Sequence, residues 1–262
     1  MEVTGMKLTI RLLGVSFRQA FASKRFWLAG VAVGLMLWLP CLNMVRIMDT
    51  TFGLTTATAS SGASVFLLAL LPAVPLGCFY ATEYTGGAVP FWTIRAGVGR
   101  YIRCKFTAAV LAAMGVYLVG ALLGTAGMVL SGVPFLPETN SGYMFAEFVD
   151  EGRPLQTYIF IVLFYMITAA CWTAVAVFLS TCVPNVYITL AGPSFFFIFC
   201  VWLGQYWPKE YEWCSPKYWG EHFYDAGDPY RSMLLKAGVT LAVIIVLGAA
   251  SVANGKRRQQ NA

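Results

Sequence analysis

Five stretches of this chain, 26–44, 63–81, 106–130, 157–183 and 186–207, contain no Asp, Glu, Lys, Arg or His. Each is long enough, as a helix, to cross a bilayer. A sixth, 233–253, carries one charge, Lys236, close enough to its end to snorkel toward an interface. Of the 262 residues, 58% are hydrophobic and 11% charged, whereas soluble domains carry about a quarter charged residues. Too little polar surface remains to cover six such segments in water. The expected fold is therefore all-α, a polytopic membrane protein with six transmembrane helices.

Charge fixes the expected orientation. With both termini cytoplasmic, the tails and the loops 82–105 and 184–185 hold twelve of the 18 Lys and Arg residues, against two acids, Glu2 and Glu83. The opposite side holds the remaining ten acids and six cations. Cytoplasmic segments are enriched in Lys and Arg, so both termini are expected inside, in a multi-pass plasma-membrane protein of bacterial type.

Residues 1–25 do not read as a cleavable signal, since they are too long, lack a small-residue cleavage site, and precede five more spans. At 100° per residue, Lys7, Arg11, Arg18 and Arg25 fall on one stripe, while Leu8, Leu12, Leu13, Phe17 and Phe21 cover the rest. Such a helix lies in the membrane interface with its cations toward lipid phosphate, and the same cations serve as a topology signal. The chain thus divides into an interfacial helix at 1–25, a six-helix domain at 26–255 and a cytosolic tail at 256–262.

The remaining chemistry is sparse. Cys78, Cys171, Cys182 and Cys200 lie in or beside spans and read as small apolar fillers, leaving Cys41 and Cys214 as the one conceivable outer disulfide. His222 is the sole histidine, and no set of metal ligands surrounds it. No P-loop, metalloprotease helix or serine nucleophile elbow occurs, so neither catalytic nor metal-binding residues are expected. The outer segment 208–232 is crowded with aromatics, either an interfacial belt or a substrate patch, and 131–156 is acidic. Pro72 and Pro75 are expected to interrupt the second stretch, and Gly192-Pro193 the fifth. Pro184 and Asn185 alone connect the fourth and fifth, which predicts a tight antiparallel hairpin.

The segment 83–105 stands apart, basic and glycine-rich between two apolar runs. It begins Glu83-Tyr84, passes Gly87-Ala88, continues through Arg95 and Arg100, and re-enters the apolar region after Lys105. That order resembles the stretch between the second and third spans of ABC transporter permeases of the type-2 exporter family. The turn here reads Ala96-Gly97-Val98-Gly99-Arg100 in place of the family's Pro-x-Ser-Arg-like sequence. The resemblance extends to the interfacial first helix, six spans, short fourth loop and extended outer segment before the last span.

It implies that 83–105 carries a coupling helix docking on a separate ATPase. Phe91 and Trp92 would be its apolar anchors, because buried aromatics dominate interface energies. Arg95 and Arg100 would face acids of that partner, and Glu83 would pair with Arg100, Arg103 or Lys105 as a weak ion pair near water. It also implies two ATPase copies that bind ATP and Mg, and a second permease, identical or related. The substrate would be amphipathic, a peptide, a drug or a lipid. Nucleic acid is not an expected partner. Three other readings stay open: a basic loop that only sets topology, a carrier or channel without an ATPase, and the substrate-capture module of a vitamin importer.

Overall fold

Residues 2–40, 55, 62–135, 144–145, 147–220 and 223–260 are described by the structure, a computed structural model, and among them there is no strand. Cys41 and His222 fall outside the described residues, and with Cys41 the pairing to Cys214.

The first helix, α1, spans Glu2–Phe21, and Ser23 separates it from α2, Lys24–Trp38. Ser23 Oγ accepts the Phe26 N–H at 3.1 Å and donates to the Ala20 carbonyl at 2.8 Å, so one hydroxyl ends one helix and caps the next. The two axes differ by 49°.

Between α2 and the next long helix, the second apolar stretch is broken as its prolines predict. Helix α3, Gly62–Leu70, gives way to a 3-10 turn at Leu71–Ala73 and irregular turns before α4, Phe79–Thr85. Pro72 and Pro75 each lack a backbone donor, so the ladder cannot continue. The two sides of the break reach different ends of the bundle: Thr55, ahead of the stretch, touches Met128 near the end of α6, and Ala81, at its close, donates its N–H to Ser180 Oγ at 2.8 Å.

A short helix, α5, Val89–Ala96, leads into α6, Val98–Leu130. Helix α6 begins eight residues before its charge-free run, so Arg100, Arg103 and Lys105 ride on its first turns instead of a loop. It runs parallel to α2, and small residues let the two backbones approach. A Cβ on Gly120 would lie 2.4 Å from Val33 Cγ1, and one on Gly34 would lie 2.9 Å from Leu123 Cβ. Trp38 Nε1 closes the far end by donating to Ser131 Oγ at 2.9 Å.

After the single turn α7, Glu147–Asp150, comes α8, Pro154–Cys182, the most enclosed of the long helices. It is antiparallel to α6, with Tyr158 and Thr125 hydroxyls 2.8 Å apart and the Tyr165 and Tyr117 rings at 5.6 Å. The expected hairpin follows. Asn185 Oδ1 accepts the N–H groups of Tyr187 and Ile188 and starts α9, Val186–Gln205. Contrary to expectation, Gly192-Pro193 does not interrupt α9. One proline frees only the carbonyl four residues back, which a membrane helix tolerates, whereas the second stretch has two prolines within four residues.

The last helix, α10, spans Pro229–Gln260, so residues 256–260 are helical and continue the last apolar run. Arg258 caps the C-terminal end of α8, donating to the carbonyls of Thr181 and Cys182 where helix carbonyls lack partners. Lys236 does not snorkel outward. It is only 8% exposed and donates to the carbonyls of Tyr218 at 2.7 Å and Gly220 at 2.5 Å. Folding the outer segment back over α10 supplies acceptors closer than the interface would be.

Among the described residues, four helices, α6, α8, α9 and α10, are long and apolar enough to cross a membrane, and five if the bent pair α1–α2 counts as one span. The protein is a membrane-embedded helical bundle. Helices α6 and α8 are its core, while α9 and α10 present most of their apolar surface outward.

Candidate functional site

Helix α5 is held between two glycines in the left-handed region, Gly87 at φ +68° and Gly97 at φ +76°. Those angles turn the chain sharply on either side at no steric cost. Pro90 sits in the helix's first turn, where no backbone donor is needed. Val89, Thr93 and Ala96 are buried at helical spacing, and Thr93 Oγ1 donates to the Val89 carbonyl at 3.0 Å.

The opposite face is bare. Phe91 is 72% exposed and Ile94 84%, with Arg95 exposed beside them. Trp92 differs from the exposed anchor expected of it: half-buried against the core, its ring lies 6.0 Å from Lys105 Nζ. Ile94 did not stand out in the sequence, yet it follows Phe91 by three residues on the same face. Arg100 is half-buried on the first turn of α6.

Behind α5 lies a polar cluster. Glu83, in the last turn of α4, receives Lys105 Nζ on Oε1 at 2.6 Å and the Tyr101 hydroxyl on Oε2 at 2.5 Å. Lys105 also donates to Gln19 Oε1 of α1 at 2.6 Å. Of the three cations considered for Glu83, Lys105 is the one that binds it. Arg103 turns away, its Nε donating to the Gly99 carbonyl.

The pair is also not the water-exposed one expected, since Lys105 is 2% exposed. Three elements bury it together, so removing either partner would leave an uncompensated charge. Beside the cluster, under the break in the second stretch, opens a cavity of about 350 Å³ lined in part by Gln19, Lys24, Arg25, Pro75, Thr82 and Glu83.

Helix α1 meets this site crosswise. The Thr9 carbonyl accepts Cys104 Sγ, and Gln19 meets Lys105, so ten residues of α1, about 15 Å, span neighbouring positions of α6. Lys7, Arg11 and Arg18 are exposed opposite the buried Leu12, Ser16 and Ala20. Arg25 is exposed too, but it lies beyond the bend on α2. Arg258 completes the same end of the bundle, its guanidinium 5.9 Å from the Tyr84 ring.

At the other end, the aromatic segment is partly core and partly surface. Phe223 packs on Phe145 at 4.9 Å, whereas Tyr211 and Trp213 are exposed. Glu212 Oε1 accepts Lys217 Nζ at 2.7 Å and the Tyr218 hydroxyl at 3.0 Å. The lysine bond chiefly, then the tyrosine bond, holds the Glu212 carboxyl below its ordinary pKa, and the same contact with Glu212 raises that of Lys217.

With this geometry in hand, comparison finds no matching family model, curated protein or solved structure.

Proposed function

We propose that this chain is the membrane subunit of an ATP-driven exporter of the type-2 ABC class, with α5 as the helix that docks on a separate ATPase. The observation that carries the reading is the paired character of α5. Its inner face is anchored in the bundle, and its outer face presents Phe91, Ile94 and Arg95. An exposed apolar pair beside a cation on a short rigid helix is an interface in want of a partner. The Glu83–Lys105–Gln19 cluster joins α4, α6 and α1 directly behind it, so displacement of α5 would be passed to three elements at once.

The four or five membrane-length helices, with the proline-broken second stretch as a further pass, would make a six-span subunit with both termini cytoplasmic. The α1 stripe would rest on anionic headgroups. Two such subunits, identical or related, would enclose the transport path, and two ATPase copies would bind ATP and Mg. The outward apolar faces of α9 and α10 leave room for a second subunit. An amphipathic or lipid-like substrate suits spans rich in aromatics and poor in charge. Movement of α4 would open or close the cavity at the break, which is bordered by prolines and glycine instead of a continuous hydrogen-bond ladder.

The test is affinity purification of the tagged chain from its native membrane, with ATPase activity then measured in liposomes. A P-loop ATPase should accompany the wild type. Phe91→Ala combined with Ile94→Ala, and separately Arg95→Glu, should weaken that association about thirty-fold, as loss of a hot-spot anchor worth ~2 kcal/mol does. Both variants should remain folded, because these side chains are exposed. Retention of the ATPase and full substrate-stimulated hydrolysis by both variants would reject α5 as the docking helix.

A further inference from the structure

A groove of about 570 Å³ runs between α6 and α10, lined by Gly99, Arg103, Phe106 and Thr107 on one side and by Ile244, Ile245, Gly248, Ala249, Val252 and Lys256 on the other. Its character changes along its length. The body is apolar, and one end carries two cations. Both converge on Gly99: Arg103 Nε donates to the Gly99 carbonyl at 3.0 Å, and Lys256 Cε lies 3.4 Å from where a Cβ on Gly99 would stand. Neither cation forms an ion pair among the described residues, and no carboxylate lines the groove. Two cations at one end of a lipid-facing trough set up a positive potential that attracts an anion.

We infer that this groove holds one anionic phospholipid, its phosphate on Arg103 and Lys256 and an acyl chain along Phe106, Ile244, Ile245 and Gly248. The placement fits a bilayer. Arg103 precedes the charge-free run of α6, and Lys256 follows that of α10, so both sit where headgroups meet hydrocarbon. Gly248 keeps the trough open, because a Cβ there would come within 3.1 Å of the Phe106 ring. Only the membrane embedding of α6 and α10 is required, so the inference stands apart from the exporter reading.

Native mass spectrometry of the purified full-length protein, incubated separately with dioleoyl phosphatidylglycerol and dioleoyl phosphatidylcholine, tests it. One phosphatidylglycerol should be retained in preference to phosphatidylcholine. Each cation near the surface contributes on the order of fivefold to anionic-lipid binding, so Arg103→Ala with Lys256→Ala should lower retention about twenty-fold. An equal charge change at the opposite end of the bundle, Lys209→Ala with Arg231→Ala, should leave it unchanged. Ile245→Trp, which keeps both cations but fills the trough from an exposed position, should lower retention of phosphatidylglycerol as well. Wild-type retention in the Arg103/Lys256 variant, equal binding of the two lipids, or a dimer that Ile245→Trp dissociates while lipid preference persists would each overturn the assignment.

Discussion

Lys105 and Glu83 are two ordinary charges whose worth depends on where folding leaves them. Buried between α1, α4 and α6, each stabilises the other, and neither tolerates the other's loss. Lys105→Met should therefore destabilise by about 3–5 kcal/mol, as should Glu83→Gln, whereas the double variant should cost much less than their sum. Melting of purified protein followed by circular dichroism measures this, and additive losses would show that the pair is not coupled. The sequence narrowed Glu83's partner to three cations but not to one, because helical phase decides which of them turns inward. Lys236 was misjudged for a related reason. Its position near a span end is visible in the sequence, but the carbonyls of Tyr218 and Gly220 that draw it inward depend on how the outer segment folds back.

At the scale of elements, apolar runs and breakers carried most of the information. The fourth and fifth stretches appear as α8 and α9 nearly to the residue, and the Pro184–Asn185 hairpin is as expected. The second stretch breaks at its prolines, yet a lone proline leaves α9 intact, and only surroundings separate those cases. A signal that was present and unused is the spacing of Gly30 and Gly34 on α2 and of Gly120 and Gly124 on α6. Both are small-xxx-small patterns, and they face each other. Gly120→Val should push α2 from α6 and destabilise by ~1–3 kcal/mol, because the new Cβ would meet Val33 rather than a flexible tip. Gly238→Ala on α10 is its contrast: nothing lies within 4 Å of the added methyl, so stability should stay level or rise by up to about 1 kcal/mol. Thermal midpoints in one detergent compare the two, and equal losses would refute close packing as the cause.

For the whole molecule, direction follows from which residues meet. Helices α2 and α6 run together, α8 and α10 run against them, and α10 returns beside α8 so that Arg258 reaches Thr181. The cations of α1, α5, the start of α6 and the end of α10 therefore collect at one end, and the segment from Lys209 to Trp219 lies at the other. If the cationic end is cytoplasmic, a membrane-impermeant thiol reagent on intact cells must discriminate between them. Native Cys104 cannot report this, since it is 4% exposed and its Sγ lies against the Thr9 carbonyl. In a background lacking the seven native cysteines, Lys209→Cys should label from outside, and Arg257→Cys only after the membrane is permeabilised. Both replaced side chains are exposed, so reactivity depends on the side of the membrane and not on burial. The reverse pattern would invert the orientation and place α5 where no cytosolic ATPase could reach it, while labelling of both sites from outside would refute the assignment of the two ends to opposite sides.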